Sequence, residues 1–266
     1  MKKAEISNLL RNFGLLFLFD KLRFYFQKLK FRSINKKFKA ANPEVKLPPD
    51  YLIYESFQMN YHKYYTESIA FAKLMSTYFA KHIELKDLNI LDWGCGPGRV
   101  IRHMPKMIGH NCKFYGTDYN ANSIAWCKEN LSDIEFNHNS LEANLPYQDD
   151  FFHVIYGHSI ITHLSEEMHY AWFAELYRVL KPGGILYLTA QGDNYKSKLS
   201  NSELKQYNAG QLVVRGKVKE GHRTYSAFQP KSFMQTLFSK VSILEHVEFK
   251  PNPGAGIPQD IWIVRK

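Results

Sequence analysis

Residues 89–100, from Asn89 through Trp93 to Val100, run an apolar segment straight into Gly94, Gly96 and Gly98, three glycines on alternate positions. No other stretch narrows so far what the chain can become. It predicts a strand ending in a tight turn, where side chains would keep the backbone from a bound ligand and where positive φ is wanted. Pro97 suits the first turn of a following helix. Glycine turns that merely reverse a chain are common, so spacing has to discriminate. The dinucleotide pattern G-x-G-x-x-G would need glycine where Arg99 stands, and a phosphate-cradling G-x-x-x-x-G-K-[ST] is absent.

Lys113 to Asp118 reads as a second strand ending in an acid, 20 residues beyond Gly98. A carboxylate there can accept hydrogen bonds from both hydroxyls of an adenosine ribose. An NAD enzyme shares this acid, so it supports a nucleoside without choosing the cofactor, and an NAD-dependent oxidoreductase remains an alternative.

The order of later segments chooses. Asn137 to Leu141 is a short polar segment, Phe151 to Tyr156 a strand, and Arg178-Val179-Leu180-Lys181-Pro182-Gly183-Gly184 a turn before the strand Ile185 to Ala190. Together with Asp92 and the alternate glycines, this resembles the class I S-adenosylmethionine (SAM)-dependent methyltransferases over roughly residues 60 to 192, and more weakly at the C-terminus. The resemblance implies an α/β, doubly wound, Rossmann-like fold whose seven-stranded, mostly parallel sheet closes with an antiparallel C-terminal strand. It also implies SAM as cofactor. Gly94, Cys95 and Gly96 would give its methionine part backbone contacts, with Gly98 also binding cofactor, Asp92 would orient the amino group, Asp118 would hold the ribose and Tyr119 would flank the adenine. Asn139, Ser140 and Leu141 would lie at the adenine edge, where the family more often has Asp, and His158 is counted with the cofactor-binding residues.

Charge looks at first like a nucleic-acid signature, since the 266 residues carry 35 Lys or Arg against 25 Asp or Glu. Residues 1–40, however, hold eleven of the basic groups and only Glu5 and Asp20 as acids, so the remaining chain is nearly neutral. The basic character belongs to one arm, which argues against a nucleic-acid groove across the domain. Cys95, Cys112 and Cys127 lack C-x-x-C spacing, which speaks against zinc or a disulfide framework and suits a reducing cytoplasm. At Cys95 a small residue filling a turn is the simpler reading than a reactive thiol. No carboxylate cluster suggests a catalytic metal.

The sequence therefore predicts a basic helical arm over 1–48 and a catalytic domain over 49–266, divided at Lys46-Leu47-Pro48-Pro49-Asp50. In the arm Ile6, Leu9, Leu10, Phe13, Leu16 and Phe17 recur at helical spacing among Arg11, Lys21, Arg23, Lys28, Lys30 and Arg32. Its longest uncharged stretch, residues 12–19, is far short of the ~20 needed to span a bilayer. Two readings stand level: a helix lying on the anionic inner membrane face, and a helix packed on the domain with its charges solvated. Residues 60–83 predict a helix with a stripe of Tyr61, Tyr65, Ile69, Met75 and Phe79, and Tyr54 and Tyr61 are candidate ligand contacts. Ser165 to Leu180 predicts a helix capped by Ser165, and Pro230 to Ser239 another. Residues 191–228 break the pattern as a specificity insertion with a hairpin at Gln211 to Ser226, and Val241 to Phe249 and Asp260 to Val264 form a closing antiparallel pair.

Methyl transfer from a sulfonium needs an aligned nucleophile more than acid-base chemistry. After the fourth strand stands Gly157-His158-Ser159-Ile160, neither the Asn/Asp-Pro-Pro-aromatic run of amino-methylating nucleic-acid enzymes nor a Pro-Cys nucleophile. The acceptor class is then a small molecule or saccharide bearing a hydroxyl or amine. A hydroxyl would profit from a general base, for which His158, His163 and His222 are candidates, with Tyr225, Gln259 and Asp260 as further pocket residues. "RVIRHM", "THLSEE" and the Gln259-Asp260 pair are similar to a bacterial methyltransferase group often associated with surface-glycan synthesis. A non-catalytic SAM-binding module and a nucleic-acid methyltransferase are the alternatives.

Overall fold

The computed structural model describes residues 11, 16–109, 111–254 and 256–266. Ile6, Leu9, Leu10 and Phe13 of the predicted arm lie outside them. The chain forms two compact units, one of residues 17–140 and one of residues 141–266.

In the first unit, helix α1 (Leu16–Ala41) is followed by α2 (Asp50–Ser56) and α3 (Tyr61–Ala80), then by β1 (Asn89–Trp93), the short α4 (Met104–Ile108), β2 (Lys113–Asp118), α5 (Ala121–Asn130) and β3 (Glu135–His138). The strands pair in parallel, β3 with β2 and β2 with β1. Ile90 to Trp93 are all buried, the unbroken pattern of a parallel strand covered on both faces. α3 starts where Asn60 accepts a hydrogen bond from the Lys63 amide. Its inner face is Tyr61, Tyr64, Ser68, Ala72, Met75 and Phe79, rotated from the predicted stripe, so Tyr65 and Ile69 lie off it. The small Ser68 explains the rotation: it lets the helix approach His103, whose Nε2 lies 3.0 Å from the Ser68 hydroxyl.

α1 shares a core with α2 and α3 across the double-proline boundary. Phe24, Phe31 and Phe38 pack against Ile53, Tyr54, Met59, Tyr61 and Tyr64. Buried Asn35 donates to the Met59 carbonyl at 2.7 Å and accepts from the Tyr61 amide at 3.0 Å. The Tyr54 hydroxyl donates to Asp20 and that of Tyr61 to Asp50, so both tyrosines proposed as ligand contacts are committed to this helical cluster.

The second unit contains β4 (Phe152–Gly157), α6 (Glu166–Val179), β5 (Leu180–Ala190), α7 (Asn201–Asn208), the hairpin β6 (Val213–Arg215) and β7 (Ser226–Phe228), α8 (Lys231–Leu237), β8 (Ser242–Val247) and β9 (Asp260–Arg265). β4 runs parallel to β5, while β9 is antiparallel to both β5 and β8. Seven strands thus make the mixed, mostly parallel, Rossmann-like set with an antiparallel end that the sequence predicts, and β6 pairs with β7 apart from them. α6 keeps its predicted bounds to within a residue, with Ser165 as cap and Trp172, Leu176 and Val179 buried.

Two local expectations change. Pro97 does not open a helix, because Gly94, Gly96 and Gly98 have φ of 76°, 52° and 67°, left-handed values that a right-handed helix excludes. Of the predicted turn Arg178–Gly184, Arg178 and Val179 end α6 and Leu180 to Gly184 are the bulged start of β5: Gly183 donates to the Lys266 carbonyl and Lys266 to that of Gly184, so strand pairing runs through it. Arg178 in that motif clamps the loop before β4, donating to both Glu175 oxygens, to Asp149 and to the carbonyls of Leu145 and Tyr147.

Candidate functional site

The turn after β1 is held by backbone. The amides of Gly94 and Cys95 both donate to the Thr117 carbonyl, at 2.8 and 2.9 Å, and Gly98 donates to that of Cys95. Gly96 donates to Asp118 Oδ2 at 2.8 Å, and Asp118 Oδ1 accepts from the Asn120 amide at 2.7 Å. These amides fix the turn's shape, so the turn offers a ligand chiefly a wall without side chains. A Cβ at Gly98 would stand 2.6 Å from Leu131, and one at Gly116 2.6 Å from Phe136. Both glycines are therefore required by packing.

Asp118 is buried, and burial lifts its carboxyl to about 6 despite the two backbone donors that favour the charge. Each oxygen accepts one backbone hydrogen bond and keeps further acceptor capacity. Glu55 of α2, which the sequence reading missed, accepts from Asn120 and adds negative charge near Asp118. Burial and the neighbouring Asp118 and Glu55 push the Tyr119 phenol well above its ordinary range. His138 lies 3.1 Å from the Tyr119 carbonyl. Asn139 is buried, its amide donates to the Asp118 carbonyl, and its Oδ1 has no partner among the described residues. Ser140 is exposed, and the Leu141 carbonyl accepts from Trp172 Nε1 at 3.1 Å.

Asp92 is buried on β1. Arg99, where the dinucleotide fingerprint has glycine, is a buried guanidinium 4.6 Å over the Phe57 ring. Burial raises the Cys95 thiol far above its usual range, and its Sγ lies 3.4 Å from the Gly96 carbonyl, which makes it an inert turn filler.

The second unit gathers its polar groups at the carboxyl ends of β4 and β5 and the start of β9. Ser159, one residue past His158, has φ of 63° although it is not glycine. Its amide donates to Thr189 Oγ1 at 2.7 Å, Thr189 donates to Gln259 Oε1 at 2.6 Å, and Gln259 Nε2 donates to Ser159 Oγ at 2.8 Å. The three residues close a ring that holds a strained backbone, a feature concentrated at functional sites. His158 Nδ1 adjoins it, 3.4 Å from Thr189 Oγ1.

The other candidate histidines separate by tautomer. His163 Nδ1 lies 2.7 Å from the Tyr225 carbonyl, which can only accept, so Nδ1 carries the proton and Nε2 the lone pair. Burial lowers its pKa, which keeps it neutral near pH 7. His222 Nδ1 accepts instead from the Thr224 amide at 3.3 Å, so its proton sits on Nε2. The loop carrying His222 is tied to the first histidine, because Gly221 donates to the His163 carbonyl.

Buried Gln229 was also missed: its Nε2 reaches the Ile161 carbonyl and His169 Nε2, and its Oε1 accepts from Gln191, which anchors the insertion. A Ser200–Glu203 capping box starting α7 was legible and overlooked. Among the described residues, His246, Glu248 and Asp260 lie close enough to hold an ion. The histidine nitrogens already face both carboxylates, at 3.1 Å for Asp260 and 3.6 Å for Glu248, and its ring stacks on Trp262.

Comparison with known proteins agrees with this geometry. Residues 90–184 match the family described as a methyltransferase domain. A phthiotriol/phenolphthiotriol dimycocerosates methyltransferase of Mycobacterium ulcerans is 30% identical over 156 residues, 54% of this chain and 55% of that protein. An arsenite methyltransferase of Aquipseudomonas alcaligenes is 30% identical over 133 residues, 46% of this chain and 37% of that protein. The chain thus spans about half the length, or less, of these curated relatives. A SAM-dependent methyltransferase structure from Methanosarcina mazei shares the fold with a TM-score of 0.54 at 19% identity, covering 71% of this chain and 96% of that one.

Proposed function

We propose that this chain, a member of the class I SAM-dependent methyltransferases, moves the methyl group to a hydroxyl or amine of a small-molecule or saccharide acceptor. The cofactor fits the residues present. The glycine-rich turn at 94–98 suits the methionine part, Asp118 keeps acceptor capacity for two ribose hydroxyls, and the Asn139 Oδ1, unpartnered among the described residues, can accept from the adenine amine. Bound SAM supplies an electrophilic methyl carbon, so what the protein adds is alignment and exclusion of water.

The observation that carries the acceptor reading is His163. A neutral imidazole with its proton fixed on Nδ1 by the Tyr225 carbonyl presents Nε2 as a base able to take a hydroxyl proton. The Ser159–Thr189–Gln259 ring would orient the acceptor, and the 191–228 insertion would shape its selectivity. Acceptors screened with radiolabelled SAM should include a hydroxyl- or amine-bearing small molecule or saccharide. For a hydroxyl acceptor, His163→Gln should lower turnover ~100-fold or more while binding of S-adenosylhomocysteine stays within about threefold. Unchanged turnover in that variant removes His163 as base, and labelling of nucleic acid alone rejects the acceptor class.

A further inference from the structure

Helix α1 has two apolar faces, and its packing on α2 and α3 uses one. Phe24, Phe31 and Phe38 turn inward, locked by Asn35, by the Asp20–Tyr54 hydrogen bond and by a 2.8 Å ion pair between Lys28 and Asp50. On the opposite side Leu18, Leu22, Tyr25 and Leu29 are 53%, 57%, 52% and 71% exposed, and Phe26 beside them is 63% exposed. Positions i, i+4, i+7 and i+11 fall on one stripe of an α-helix, here ~17 Å long. A helix that only covers its own domain would place polar residues there.

Charge identifies what covers the stripe. By helical angle, Lys21 and Arg32 border one side of it, Arg23, Lys30 and Lys37 the other, and Lys36 continues its end, all six exposed. Asp20 is the one acidic residue of α1, and it faces inward to Tyr54. We propose that this outward face of α1 docks on an anionic lipid bilayer, with the Leu18–Leu22–Tyr25–Leu29 stripe and the neighbouring Phe26 sunk among the acyl chains and the flanking cations at the phosphates. The level choice left by the sequence, packing or membrane, thus becomes both at once on opposite faces. A second copy of the chain fits poorly, since apposing two such faces would bring like-charged rows together. Attachment is peripheral, because among the described residues no helix is long and apolar enough to cross a membrane. The inference is independent of the acceptor's identity.

The test is co-sedimentation of the full chain with vesicles of phosphatidylglycerol mixed with phosphatidylcholine, and with vesicles of phosphatidylcholine alone. Binding should be confined largely to the anionic vesicles and mostly released by ~1 M salt. Leu22→Glu with Phe26→Glu should weaken it at least about tenfold, and Arg23→Gln with Lys30→Gln should weaken it less and flatten the salt dependence. Both pairs replace exposed side chains, so circular dichroism and the melting temperature should match the parent. Equal binding by the Leu22/Phe26 variant, or no binding by the parent chain, overturns the proposal. So does a parent dimer in sedimentation velocity that the same variant renders monomeric, which would make a second copy the occupant.

Discussion

The turn at Gly94–Gly98 and the ring around Ser159 both hold left-handed backbone, but they are built differently. The turn is shaped mostly by main-chain bonds, and its carboxylate partner, Asp118, lies 22 residues on from Gly96. The ring closes through side chains alone except for one amide, and Gln259 is 70 residues from Thr189 and 100 from Ser159. A site made of backbone recognises what is common to every turnover, whereas one made of distant side chains can be changed one residue at a time. In the proposed function the first serves the cofactor and the second the acceptor.

Substitutions can break that contrast. The largest effect is expected at Asp118: Asp118→Ala removes the proposed acceptor for two ribose hydroxyls and frees the Gly96 and Asn120 amides, and should weaken SAM binding ~100-fold or more in calorimetry. Gln259→Leu should leave that affinity within about threefold. Next is Gly98→Ala, where positive φ and a Cβ 2.6 Å from Leu131 combine to destabilise by ~2–4 kcal/mol in urea unfolding. Gly183→Ala, with similar φ and nothing within 4 Å of the added Cβ, should lose only ~1 kcal/mol. Gln259→Leu itself should destabilise by ~1–3 kcal/mol, because Thr189 and Ser159 lose partners.

A smaller effect comes from pH. With the Asp118 carboxyl lifted to about 6, ribose donors that favour the ionised form must displace a proton below that pH. SAM affinity should fall, by up to about tenfold between pH 6 and 5, and Asp118→Asn should abolish the slope. Ligand-free stability carries the opposite sign: between about pH 4 and 6 the folded carboxyl keeps a proton that the unfolded chain has released, so Asp118 lowers stability as pH rises.

The same contrast decides what the sequence could reveal. β1, the glycine turn, β2 ending in Asp118, and α6 with its Ser165 cap were legible because each depends on local spacing and backbone preference. Glu55 and Gln229 gave no such signal, since their roles exist only once α2 and β7 are placed. The three histidines looked equivalent along the chain. They differ through a carbonyl at Tyr225 and an amide at Thr224, neither of which residue type can announce. α1 was half legible: helical spacing of apolar and basic residues was plain, but which apolar side chains turn inward depends on α2 and α3.

The most direct test of the central claim is equilibrium binding of SAM to the purified full chain, with NAD titrated in parallel. SAM and its demethylated product should each saturate one site per chain while NAD shows no saturable binding. Saturable NAD binding with none for SAM would contradict the assignment of the glycine turn and Asp118.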